Sequence, residues 1–191
     1  MKVSEQQIHL KDGRIATVKC SEASEAEAQI EHLFCLAAET DYTMRYPEER
    51  QQLTVDRERQ FLKQIAASEN ELMLSAWVDG KLAGNCQIAF GNAIKTRHSA
   101  RLAIGLKKAY WGLGLGKALM AKMEITARQR GVAVLELEYI EGNERARHLY
   151  EACGFTEYGR HPDAIRLKDG TRLALVGMQK YLSDGGTQHG I

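Results

Sequence analysis

The chain predicts a mixed α/β fold, one sheet with helices on both faces. Three observations carry that prediction. Alternating apolar runs flank Asp12-Gly13 and again Asp79-Gly80, and both dipeptides favour tight turns between antiparallel strands. Stretches of helical period separate the strand-like runs. A glycine-rich junction, Tyr110-Trp111-Gly112-Leu113-Gly114-Leu115-Gly116-Lys117, then lies between a strand-like and a helix-like run, and a further strand follows. That order, strand–loop–helix–strand, is the right-handed parallel crossover of α/β sheets.

Taken in order, Ile8 to Cys20 is expected as a hairpin around Asp12-Gly13. Ser24 is placed to cap a helix and Glu27 to complete a capping box, and Ala26, Ile30, Leu33, Phe34 and Ala37 repeat at helical spacing behind them. Glu39 to Gln52 is polar and irregular, contains Tyr42, Tyr46 and Pro47, and reads mainly as loop. Thr54 caps a second helix carrying Phe61, Leu62, Ile65 and Ala66. Glu71 to Phe90 alternates around Asp79-Gly80 as a second hairpin.

His98 to Leu106 is the next strand, and Gly105 inside it marks a bulge or a close backbone approach. Beyond the glycines, Leu115, Ala118, Leu119, Met123 and Ala127 share one helix face, which ends at Gly131. Val132 to Tyr139 reads as a strand. Asn143 caps a short helix with Ala146, Leu149, Tyr150 and Cys153 on one face, stopped by Gly154. Phe155 to Gly159 and Leu173 to Leu182 are expected as closing strands, joined by a loop around Lys168-Asp169-Gly170. Residues 1–182 are thus expected to form a single domain, and Gly-rich Ser183 to Ile191 a flexible tail.

Composition narrows the function classes. With 191 residues, 44% hydrophobic and 27% charged, the chain suits one globular domain with a sizeable core. A formal net charge of +1 gives no bulk electrostatic case for nucleic acid or an anionic membrane. Cys20, Cys35, Cys86 and Cys153 are widely spaced and form no metal or disulfide framework, which fits reduced thiols and a cytoplasmic location. Met1 to Gln6 lacks an apolar signal region, and no run approaches the roughly 20 apolar residues of a membrane span. His32, His148 and His161 show no metal-ligand spacing, so no metal is expected.

Backbone N–H groups can converge at a glycine-rich strand-to-helix junction where the helix dipole is positive, which makes an anion cradle. A dinucleotide fingerprint fails, because its third glycine position is Lys117. A nucleoside-triphosphate loop fails as well, because Gly116-Lys117 is followed by Ala118 and no hydroxyl is available for magnesium.

Trp111-Gly112-Leu113-Gly114-Leu115-Gly116 instead resembles the pyrophosphate loop of the GNAT superfamily of N-acyltransferases, with Trp111 at a usually polar position. Downstream, Asn143-x-x-Ala146-x-x-Leu149-Tyr150-Glu151-x-x-Gly154-Phe155 resembles the same family's Asn-x-x-Ala-x-x-Leu-Tyr-x-x-x-Gly-Phe helix. The two motifs stand in the family's order. The resemblance implies a strongly twisted sheet of about seven strands with helices on both faces.

It also implies acetyl-CoA as co-substrate, lying between splayed strands at about His98–Leu106 and Val132–Tyr139. Its pantetheine arm would pair with the backbone near Ile104 and Leu106, and Asn143 would hydrogen-bond that arm. The cradle of Trp111, Gly112, Leu113, Gly114, Leu115, Gly116 and Lys117 would take the pyrophosphate. Tyr150, at the motif's tyrosine, would protonate the departing thiolate.

Many relatives carry a glutamate as base in the strand before the glycines, where this chain has Arg101. Glu138 is the leading replacement, with Glu136, Glu39, Asp41, His98 or a water chain as alternatives. The acceptor is expected between Glu39–Gln52 and Arg160–Arg172. A small-molecule primary amine leads, and a protein N-terminus or lysine follows. A non-catalytic acyl-CoA sensor is the rival of another class. Homodimers are common among relatives.

Overall fold

The computed structural model describes residues 2–182; the expected tail at 183–191 lies outside the described residues. Eight strands form one sheet in the order β1-β2-β3-β4-β5-β6-β8-β7, against about seven expected. They are β1 (Gln6–His9), β2 (Ile15–Cys20), β3 (Glu71–Val78), β4 (Lys81–Phe90), β5 (Ser99–Leu106), β6 (Val134–Ile140), β7 (Thr156–Arg166) and β8 (Arg172–Tyr181). The helices are α1 (Ala26–Glu39), α2 (Pro47–Arg50), α3 (Val55–Ala67), α4 (Leu115–Gln129) and α5 (Glu144–Ala152).

All neighbours are antiparallel except β5 and β6, which are parallel and joined through α4. Strand alternation divides the core between the two faces. Leu72, Leu74, Ala76 and Val78 of β3 join Leu115, Leu119 and Met123 of α4 and Tyr150 of α5 in the larger apolar cluster. Met73, the residue between Leu72 and Leu74, packs on the other face with Ala26 and with Leu62 and Ile65 of α3.

The α1 face is partly polar. Buried Ser75 donates to Glu25 (2.6 Å) and accepts from Gln29 (2.9 Å), and Gln29 in turn accepts from Asn85 (2.9 Å). The buried side chains of this hydrogen-bonded network satisfy one another, which offsets their removal from water.

Local expectations hold where a cap or turn decides the structure. Asp79 and Gly80 take φ of 50° and 72°, Thr54 accepts from Arg57 N–H, and Asn143 accepts from Ala146 N–H at 3.1 Å. Three expectations are corrected. The first helix is entered through a 3-10 turn at Ala23–Glu25, where Glu25 accepts from Glu22 N–H, so Ser24 and Glu27 are not its box. Gly105 makes no bulge, because the β4–β5 register runs unbroken from Gly84↔Leu106 to Phe90↔Ala100. It is a close approach: a Cβ there would lie 2.5 Å from Leu36 Cδ1 of α1.

The third correction concerns the stretch 160–166, which belongs to β7 and not to a loop. Pro162 suggests a break because it donates no ladder hydrogen bond. β7 is an edge strand, where proline is tolerated, and its register shifts between His161 and Ile165 absorb the irregularity.

Candidate active site

Strands β5 and β6 are paired only at Ser99↔Val134, Ala100↔Leu135 and Arg101↔Glu136. Beyond Arg101 they part, and a cleft of about 860 Å³ opens beside them. The glycine loop forms one end. Gly112 and Gly114 have φ of 74° and 90°, the left-handed region that glycine enters without a Cβ clash. Gly116 serves a different purpose, since a Cβ there would crowd Leu106 and Leu149 at 3.1 Å each. The first helical bond of this turn runs from Ala118 N–H to Gly114. The amides of Leu115, Gly116 and Lys117 therefore have no intrahelical acceptor and sit at the positive end of a 15-residue helix.

Trp111, the position that departs from the family pattern, is firmly held. Its indole N–H donates to Leu106 C=O at 2.7 Å, and Arg145 lies over its ring at 4.6 Å. Ile104, Leu106, Trp111, Gly112, Gly114, Gly116, Lys117, Asn143 and Tyr150 all line the cleft. Leu113 and Leu115 do not. The Leu115 side chain is fully buried in the core, and Leu113 C=O accepts from Lys11 N–H.

Tyr150 is 6% exposed, and its ring is flanked by Tyr139 and Phe155 at 6.2 and 6.3 Å between centroids. Among the described residues its hydroxyl has no hydrogen-bond partner, so that group is free to act in the cleft. Burial pushes its pKa well above the ordinary phenol value, so the hydroxyl carries its proton at neutral pH.

The structure does not bring Glu138 to the cleft. Tyr139 packs against Tyr150 and Leu137 is buried in the same apolar cluster, so alternation turns Glu138 to the opposite side, where it is exposed and opposite Gly177. Glu39 accepts from Lys108 N–H at 2.7 Å. Glu136, Asp41 and His98 do not line the cleft either.

Sequence reasoning missed other lining residues: Lys11, Leu36, Thr40, Thr43 and Arg145. Arg145 follows the motif's Asn143 and could have been found from that position. Lys11 arrives through a hairpin docking on the loop, which no local pattern signals. Among the described residues, no His, Cys, Asp and Glu cluster is arranged to hold a metal ion, and no helix is long and apolar enough to cross a membrane.

Known proteins share this fold. An acetyltransferase of the GNAT family from Streptococcus pneumoniae superposes with a TM-score of 0.80 at 28% identity, over 87% of this chain and 99% of that one. The Salmonella typhimurium protein yncA, solved with its cofactor acetyl-CoA, superposes with a TM-score of 0.75 at 18% identity, over 90% and 96% of the two chains, a likeness of fold alone. The ribosomal protein bS18-alanine N-acetyltransferase of Haemophilus influenzae is 37% identical over 79 residues, 41% of this chain and 53% of the relative. The chain thus spans about half the length of the curated relative it matches. The profile of the Acetyltransferase (GNAT) family matches residues 30–155, most of the chain and both motifs, and the chain belongs to that family of acetyltransferases.

Proposed function

We propose that the protein moves an acetyl group from acetyl-CoA to a primary amine while both substrates occupy the cleft. One observation carries this reading: the unspent amides of the glycine loop and the unspent, protonated hydroxyl of Tyr150 open into the same cleft. The amides at the start of α4 suit a pyrophosphate, and the thioester supplies the activated acyl group. The amine nitrogen bonds to the carbonyl carbon as the carbon–sulfur bond breaks. Tyr150 gives the thiolate its proton and is reprotonated from solvent. The amine's own proton leaves to water, a route that suits a cleft into which Glu138 does not reach.

Direct attack, without an acyl-enzyme, fits the cysteines. None lines the cleft, and burial pushes the Cys86 thiol up to about 12 and raises Cys153.

The acceptor we favour is a small-molecule primary amine. Its support is a tie between the two segments expected to hold the acceptor. Tyr46, in the α1–α3 connection, accepts from Lys168 N–H at 3.0 Å, and Lys168 also pairs with Glu48 and lies over the Tyr46 ring. These contacts tie the α1–α3 connection to the β7–β8 turn, a frame suited to a small guest. A second reading, a protein N-terminus, is favoured by the match to the Haemophilus influenzae alanine acetyltransferase.

Thiol release from acetyl-CoA, followed across small amines and across peptides with free N-termini, tests the proposal. Amine-dependent release is expected, strongest with small amines. Release with peptides alone would move the acceptor to the second reading. Coenzyme A binding with no amine-dependent release on either panel would mark a sensor and refute transfer.

A further inference from the structure

Several cations of the chain are held by counter-ions, whereas those lining the cleft are not. Lys107 pairs with Glu31, Arg147 with Glu144, Arg160 with Glu141 and Glu157, and Lys168 with Glu48. Lys11, Lys117 and Arg145 line the cleft and have no ion-pair partner among the described residues. The acid among the lining residues, Glu144, is held by Arg147 at 2.8 Å. The cleft wall is therefore left with uncompensated positive charge that a bound polyanion would neutralise.

Lys11 is brought there by built contacts. It sits at the tip between β1 and β2, and its N–H donates to Leu113 C=O of the glycine loop at 3.2 Å. Arg14 secures the tip by lying 5.3 Å from the Tyr110 ring centroid. Arg14 also takes the Asp12 carboxylate at 2.7 Å, which removes the acid next to Lys11 from competition. Arg145 comes from α5 and is steadied on the Trp111 ring. The two side chains thus reach the loop from different elements, and neither belongs to the turn that presents the unspent amides.

We propose that Lys11 and Arg145 grip the 3′-phosphate of coenzyme A and make the chain selective for coenzyme A over its 3′-dephospho form. This rests on the reading that acetyl-CoA is the donor. Charge matching supports it. The pyrophosphate carries two charges, met by Lys117 and the amino end of α4. The 3′-phosphate is a monoester carrying about −1.5 to −2 at neutral pH, which the two remaining cations match.

Isothermal titration with coenzyme A and with 3′-dephospho-coenzyme A tests the grip. The proteins are the wild type, Lys11→Ala, Lys11→Arg, and the Lys11→Ala/Arg145→Ala double variant. Ligand-free thermal midpoints confirm that each variant is folded. The wild type should prefer coenzyme A, and Lys11→Ala should lose roughly tenfold of that preference, the scale of one charge-assisted hydrogen bond. Lys11→Arg should keep most of it, and the double variant should bind both ligands alike. Added salt should narrow the wild-type preference. Equal wild-type affinity for the two ligands, or an equal loss for both in Lys11→Ala, would overturn the grip while leaving the donor intact. Absence of binding to either ligand would instead overturn the donor reading, and the grip with it.

Discussion

The donor wall of the cleft is built mainly from local structure, whereas the wall assigned to the acceptor is built from ties across the chain. On the donor side, Gly112 and Gly114 turn the backbone within a few residues, and Asn143 caps its own helix. On the acceptor side, Lys168 meets Tyr46 and Glu48 from more than a hundred residues away. Lys108 N–H likewise meets Glu39 of α1 across 69 residues. A local wall is specified by motif and can stay fixed while substrates change. A wall of long-range ties can be rebuilt by single substitutions, which suits the half of a cleft that selects the acceptor.

The contrast is broken most severely at Tyr150. Tyr150→Phe keeps the ring in its place and removes the proton, so turnover should fall about 10²–10⁴-fold. Coenzyme A affinity, measured by titration, should stay near the wild-type value because the loop is untouched. A matching loss of affinity would make Tyr150 part of the binding wall.

A second test lies behind the acceptor side. His32 of α1 is fully buried beside Gly105, and among the described residues neither ring nitrogen has a hydrogen-bond partner. Burial, helped by the nearby Lys107 charge, lowers its pKa from 6.5 to about 4, while the Gly105 carbonyl and Glu31 oppose the shift. The unfolded chain therefore takes up this proton at a higher pH than the folded chain. Stability from His32 is complete above pH 6.5, declines as the pH falls, and levels off near pH 4. The loss is on the order of 3 kcal/mol. In urea unfolding across that window, His32→Leu should show a correspondingly flatter acid limb. Carboxylates elsewhere act on both proteins alike, so parallel acid limbs would contradict the buried neutral imidazole.

How legible each wall was follows from the same contrast. The turns at Asp79-Gly80, the Thr54 and Asn143 caps and the left-handed glycines were readable, because each is decided by a residue's own backbone or by a partner three residues away. Gly105 was readable as special but not in kind, since a bulge and a helix pressed on the strand both call for the smallest residue. Only the position of Leu36 distinguishes them. The run at Pro162 hid a strand because its tolerance depends on β7 lying at the sheet edge. The place of Lys11 depends on which surfaces meet after folding, which the local pattern does not encode; alternation set Glu138 on the side away from Leu137 and Tyr139, but which side borders the cleft was not readable.

The smallest expected effect is at the tie between the α1–α3 connection and the β7–β8 turn. Lys168→Ala removes an exposed tie, so stability should hardly change. The KM for the amine should rise a few-fold, and the KM for acetyl-CoA should hold. If both constants move together, the two walls are not independent.

The central claim is that the two walls enclose one cleft in which donor and acceptor are bound together. Initial velocities with both substrates varied, alongside mass spectrometry of protein incubated with acetyl-CoA alone, test it most directly. Intersecting reciprocal plots and unmodified protein are predicted. Parallel plots, with an acetyl group on a cysteine before any amine is added, would contradict it.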